Sequence, residues 1–143
     1  MSKSIKLNDD NYWDSTGIVH NKQKLSDILD NPFINLTFNE DYIYSTDRQY
    51  TCLKIGKVVI LNIHTIAFSQ ETPNDTYIIY GLPKPKENIV FALLGNNSAQ
   101  GGTTRCVLLK STGNIRIHYG APGYYGASST RQYNGILIYE TSE

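Results

Sequence analysis

Cysteine is scarce in this sequence: Cys52 and Cys106 are the only two among 143 residues. Two thiols cannot build the disulfide framework of a small secreted domain, and they lack the Cys-x-x-Cys spacing of a metal knuckle or a dithiol redox site. Excess charge of either sign is missing too, since 13 Lys and Arg offset 13 Asp and Glu. No global field draws the chain to a polyanion, so nucleic acid is not an expected partner. Long apolar runs are also lacking. The longest, such as Val58-Val59-Ile60-Leu61 and Ile136-Leu137-Ile138-Tyr139, stop far short of the roughly twenty residues of a membrane helix, and no membrane insertion is expected. Residues 1–10 turn acidic at Asp9-Asp10 where a secretion signal needs an apolar stretch, so synthesis in the cytoplasm without a signal peptide is expected.

The residue patterns of common catalytic sites are equally sparse. His20, His64 and His118 lie far apart, with none of the short spacings that aim two ligands at one metal, so neither metal nor cofactor is expected. Alternation along an extended chain puts His64 on one strand face with Asn62, and His118 on one face with Arg116, as polar residues of a solvated sheet face. Glu40-Asp41 and Asp9-Asp10 are adjacent carboxylates whose side chains diverge in extended chain, which suits turns rather than an acid–base pair. No nucleophile elbow, phosphate-cradling Gly-Lys-Ser/Thr or dinucleotide fingerprint occurs, and Gly101-Gly102-Thr103-Thr104 lacks the helix that would make it an anion site. An enzyme is not expected. Cys52 and Cys106 lie in apolar strand segments and read as small core residues.

What is present begins with tyrosine, which supplies 11 of the 16 aromatic residues. Its ring is apolar and its tip polar, so it serves cores and wet binding surfaces alike. Hydrophobic residues make up 40% of the chain, enough for one core at this length. Charge is uneven: residues 1–47 hold four basic against eight acidic groups, a balance of −4, and the remainder balances at +4. Ile18, Val19, Leu25, Ile28 and Leu29 have helix-like spacing, so a short helix is predicted over 18–29, capped by Asn21 and stopped at Asn31-Pro32. Beyond Pro32 the chain reads as strands, at roughly 33–38, 50–68, 76–82, 88–94, 104–110, 113–119 and 134–141. Short strands between turn residues predict a mainly β, antiparallel, jelly-roll-like β-sandwich head over 33–143, preceded by an N-terminal attachment or oligomerisation segment over 1–32. Ser111-Thr112-Gly113-Asn114 predicts a hairpin, and Pro83-Lys84-Pro85 a connection.

Two stretches predict long loops, 95–103 and 120–132, and loops on a rigid sheet are where specificity resides. The second belongs to the most distinctive sequence in the chain, Tyr119-Gly120-Ala121-Pro122-Gly123-Tyr124-Tyr125-Gly126, continuing to Arg131, Gln132, Tyr133 and Asn134. Glycines let such a loop fold back, tyrosines offer stacking faces, and Arg131, Gln132 and Asn134 can hydrogen-bond hydroxyl groups, a combination suited to a saccharide. The same tyrosines also suit packing beneath the loop or at a subunit contact.

The stretch from Lys6-Leu7-Asn8-Asp9-Asp10-Asn11-Tyr12-Trp13 through Asn21, with Leu25-Ser26-Asp27-Ile28-Leu29, resembles segments of tail-fibre and baseplate proteins from phages and prophages of Gram-positive bacteria. The remainder is similar to their C-terminal head modules through Leu53-Lys54-Ile55-Gly56-Lys57-Val58-Val59, Gly81-Leu82-Pro83, Lys110-Ser111-Thr112-Gly113-Asn114-Ile115-Arg116-Ile117 and Gly135-Ile136-Leu137-Ile138-Tyr139. The resemblance implies a virion protein of the phage tail, a homotrimer whose head meets a bacterial cell-surface carbohydrate and whose other partners are tail or baseplate proteins. It supplies no binding motif, so Tyr119, Tyr124, Tyr125, Arg131, Gln132, Tyr133 and Asn134 are expected as ligand-binding residues from the loop alone. The alternatives are a structural baseplate or fibre-tip subunit and, behind it, a glycan depolymerase.

Overall fold

The computed structural model describes residues 31–95, 102–118 and 132–143, and the backbone of four short strands among the first thirty residues. The chain divides into two compact units, Met1–Pro32 and Phe33–Glu143. No described residue is helical.

In the first unit, β1 (Ile5–Lys6), β2 (Asn11–Asp14), β3 (Gly17–His20) and β4 (Gln23–Lys24) pair antiparallel in chain order. The helix expected over 18–29 is corrected where residues are described: 18–20 and 23–24 are strand, while 21–22 and 25–30 lie outside the described residues. The reason is a cross-strand match. In the backbone register Tyr12 pairs with Val19 and Trp13 with Ile18, all residue types that favour extended chain.

In the second unit, β5 (Thr37–Phe38), β6 (Gln49–Ile55), β7 (Val58–Ala67), β8 (Tyr77–Tyr80), β9 (Ile89–Gly95), β10 (Thr103–Leu108), β11 (Ile115–Ile117) and β12 (Gln132–Glu140) follow one another. They form one antiparallel sheet in the order β5-β8-β11-β10-β9-β12-β7-β6, curled into a half-barrel. Mainly β, antiparallel architecture is therefore the fold class. Alternation drives it: Val59, Leu61 and Ile63 of β7 point inward and are buried, while Val58 and His64 are exposed. The inward rows of all eight strands meet in a single core that includes Ile43, Leu61, Phe68, Ile79, Leu93, Leu108 and Ile117.

Two glycines decide local geometry. The expected 50–68 strand is a hairpin, turning at Gly56-Lys57, where Gly56 has φ of 59° at the first turn position, as a type II′ turn demands. The expected hairpin between β10 and β11 is present, with Leu108 opposite Ile115. Its Gly113 has φ of 71°, and a β-carbon there would overlap the Leu82 carbonyl oxygen, so only glycine lets the hairpin lie against the 81–82 connection.

Residues 33–38 join the two edges of the sheet. Phe33 forms a bridge with Leu53 of β6, and the Ile34 N–H donates to the Cys52 carbonyl at 2.9 Å. Five residues on, Phe38 pairs with Ile79 of β8. One short segment thus covers part of β6 at one edge of the sheet and, as β5, forms the other edge itself beside β8.

Candidate ligand-binding end of the sheet

Antiparallel order places the ends of β7, β9 and β11 and the starts of β8, β10 and β12 at one end of the curled sheet. Both expected loops are rooted there. The first is anchored where the Gly95 N–H donates to the Gly102 carbonyl at 2.9 Å, and the second runs from His118, whose N–H donates to the Arg105 carbonyl at 2.8 Å, to Gln132, paired with Ala67. Tyr119, Tyr124, Tyr125 and Arg131 lie outside the described residues.

The other expected site residues separate by strand face. Tyr133 is buried, 1% exposed, and meets Phe68 edge-on with ring centroids 5.3 Å apart. It is a core residue at the root of the loop, not a ligand platform, because strand parity turns it inward with Leu137 and Tyr139. Asn134 points the other way and is half-buried, and Gln132, also half-buried, opens the strand.

Asn134 shares an open groove of about 460 Å³ with Asn62, Ile63, His64, Leu94, Gly135 and Ile136. A bulge in β7 shapes it. Gln49 pairs with Thr65 and Tyr50 with Ile63, leaving His64 as the extra residue; on the other side, His64 and Thr65 together stand opposite Asn134. Bulges re-aim side chains and bend a strand, and this one turns the His64 side chain to the surface beside Asn134. The buried Thr65 hydroxyl oxygen has no hydrogen-bond partner among the described residues, a local cost borne at the same bulge. Gly135 permits close approach of β12 to β9, because a β-carbon there would sit 2.8 Å from Leu93 Cδ2 and 3.1 Å from the Ala92 carbonyl oxygen.

Two carboxamides and an imidazole beside the apolar Leu94 and Ile136 can donate to and accept from a polar ligand while covering its less polar face. Among the described residues, no carboxylate, cysteine or hydroxyl-bearing side chain lines this groove. Both thiols are instead in the core: burial pushes Cys52 up to about 11 and Cys106 up to about 12, so neither is a ready nucleophile or metal ligand at neutral pH. An ion pair between Arg116 and Asp75 stands at the same end, where the Asp75 N–H also donates to the Ile117 carbonyl. A second groove, about 340 Å³, follows the seam between residues 33–35 and β6. Its Tyr50 hydroxyl is already engaged, accepting from the Leu36 N–H at 2.9 Å.

The sequence singled out Asn134 but missed Asn62 and His64 as its companions. Their shared strand face was readable from alternation; the pairing of β12 with β7, about seventy residues away, was not. Among the described residues no three His, Cys, Asp or Glu are grouped to hold a metal ion, and no helix is long and apolar enough to cross a membrane. No protein-family model matches the chain, and no curated protein does.

Proposed function

We propose that this chain is a noncatalytic host-surface recognition module of the phage tail-fibre or baseplate type. It binds a bacterial cell-wall saccharide at the loop-bearing end of the β unit. In this reading opposite walls of the curled sheet act as the two layers of a jelly-roll-like sandwich head, the assembly is a homotrimer in the virion tail, and other tail or baseplate proteins hold it there. One observation carries the proposal: both long loops are rooted at the same end of the sheet, beside the groove of Asn62, His64 and Asn134. Tyr124, Tyr125, Tyr119 and Arg131 are the loop's contribution, with Gln132 and Asn134 at its return to the sheet.

The test is titration of cell-wall oligosaccharides with the intact chain, alongside attachment to host cells. Tyr124→Ala and Tyr125→Ala should each weaken binding about five-fold, on the order of 1 kcal/mol for a lost stacking face, with saccharide recovered uncleaved. Cleaved product would move the protein to the depolymerases. One observation favours the structural alternative, a baseplate or fibre-tip subunit: Tyr133, in the same tyrosine-rich stretch, is buried. Normal cell attachment by both variants, with assembly or folding impaired, would establish that alternative.

A further inference from the structure

Two large aliphatic side chains of the groove lie open to water on a sheet face that is ordinarily polar: Leu94 is 54% and Ile136 62% exposed. Neither serves the core, to which the same two strands give Leu93, Leu137 and Tyr139. Each stands directly across a strand pair from a carboxamide. Leu94 of β9 is opposite Asn134 of β12, and Ile136 of β12 is opposite Asn62 of β7. Residues so paired hold their β-carbons roughly 5 Å apart, which sets an apolar group beside an amide twice over in adjoining strand pairs.

We infer that this groove selects a sugar carrying an acetamido group. The inference rests on saccharide recognition, as proposed above, and names the class of sugar. An acetamido group carries a methyl, a carbonyl oxygen and an N–H around one amide, so it needs apolar cover and amide partners at almost the same place. A carboxamide matches its polar atoms, donating to the carbonyl or accepting from the N–H, while the neighbouring aliphatic side chain covers the methyl. A bare hydroxyl in that position would leave Leu94 or Ile136 facing water. Among the described residues no carboxylate, lysine or arginine lines the groove, and the exposed Arg105, opposite Ala92 on the same face, is outside its lining. A charged substituent would therefore be desolvated there without a permanent counter-charge, which favours a neutral one. The space of about 460 Å³ lies within the range of small-ligand clefts.

Saturation-transfer NMR on the intact chain tests the inference, with N-acetylglucosamine and N-acetylgalactosamine against glucose and galactose, and host cell-wall oligosaccharides alongside. At least one acetylated sugar should bind about ten-fold or more tighter than its parent hexose, the combined effect of a buried methyl and a hydrogen bond. Its acetyl methyl should receive the largest saturation when protein methyl groups are irradiated. Leu94→Ser with Ile136→Ser should lower its affinity at least five-fold with melting unchanged, and the preference of the parent chain decides the matter if that variant fails to fold. Cell-wall oligosaccharides that bind while neither acetylated sugar outdoes its hexose overturn this inference and leave saccharide recognition standing. A folded double variant that keeps the full preference overturns it as well, and a chain that binds no saccharide at all overturns both.

Discussion

The two ends of the curled sheet are built from the same strands and use their polar groups in opposite ways. At the end holding the Gly56 turn, polar groups are turned on the protein itself. The Tyr139 hydroxyl donates to the Pro83 carbonyl at 2.6 Å, the Thr141 hydroxyl to the Lys84 carbonyl at 2.7 Å, and the Thr141 N–H to the Lys57 carbonyl at 2.8 Å. The Leu82 N–H donates to the Gly113 carbonyl at 3.1 Å, which sews the β10–β11 hairpin to the connection after β8. At the other end two long connections leave the sheet, and a bulge sets His64 at the surface beside Asn62 and Asn134. One end fixes the geometry so that the other can vary its surface, the division expected when binding loops sit on a rigid scaffold.

The largest effect should come from breaking the tied end. Gly113→Ala puts a β-carbon on the Leu82 carbonyl oxygen and strains a positive φ, so it should cost on the order of 3 kcal/mol or more in denaturant melts. Next, Tyr139→Phe should cost about 1–2 kcal/mol, because the Pro83 carbonyl loses its buried donor. Alkaline pH presses on the same region. Burial raises Tyr139 and the thiols of Cys52 and Cys106 above their ordinary values. Unfolded chains therefore release these protons first as pH rises, and stability should fall above about pH 9, by at most about 1.4 kcal/mol per pH unit for each group. A flat melting temperature between pH 8 and about 10.5 would contradict the buried thiols.

Variants at the loop-bearing end sharpen the contrast in the other direction. His64→Ala should change stability by less than about 0.5 kcal/mol yet, on the proposed function, lower saccharide affinity several-fold. A large loss of stability from it would mean that this end, too, is scaffold. The smallest effect is expected at the surface. Lys86 holds the Glu140 carboxyl below its ordinary value by hydrogen bond and charge, a contribution present at neutral pH and lost as pH falls through the lowered value. Fully solvated as Glu140 is, Glu140→Gln should leave the melting curve unmoved.

Strands were legible because burial imposes a period of two. The 58–67 segment shows it in its buried Val59, Leu61 and Ile63, and Gly113-Asn114 marks a turn through backbone freedom that other residues lack. Residues 18–29 misled because apolar spacing was read within one segment, whereas the partners of Ile18 and Val19 lie upstream, mirrored about residues 15 and 16. The tyrosine-rich stretch misled more finely. Tyr133 and Asn134 are neighbours in sequence and point to opposite faces, so one strand cannot present both to one ligand. Parity would have separated them, except that Ile136-Leu137-Ile138-Tyr139 is apolar on both faces and hides the alternation. The groove and the segment joining the sheet edges depend on long-range pairings, which no local pattern encodes.

That joining segment also sets how the β unit would respond to force. A pull transmitted through Pro32 reaches Phe33 first, then the bridge to Leu53 and the bond from Ile34 to the Cys52 carbonyl. These few links can be peeled one at a time, whereas the long ladder of β7 against β12 would share a load applied along its strands across many bonds at once. Tension from that side should open the seam at low force while the rest of the sheet stays closed.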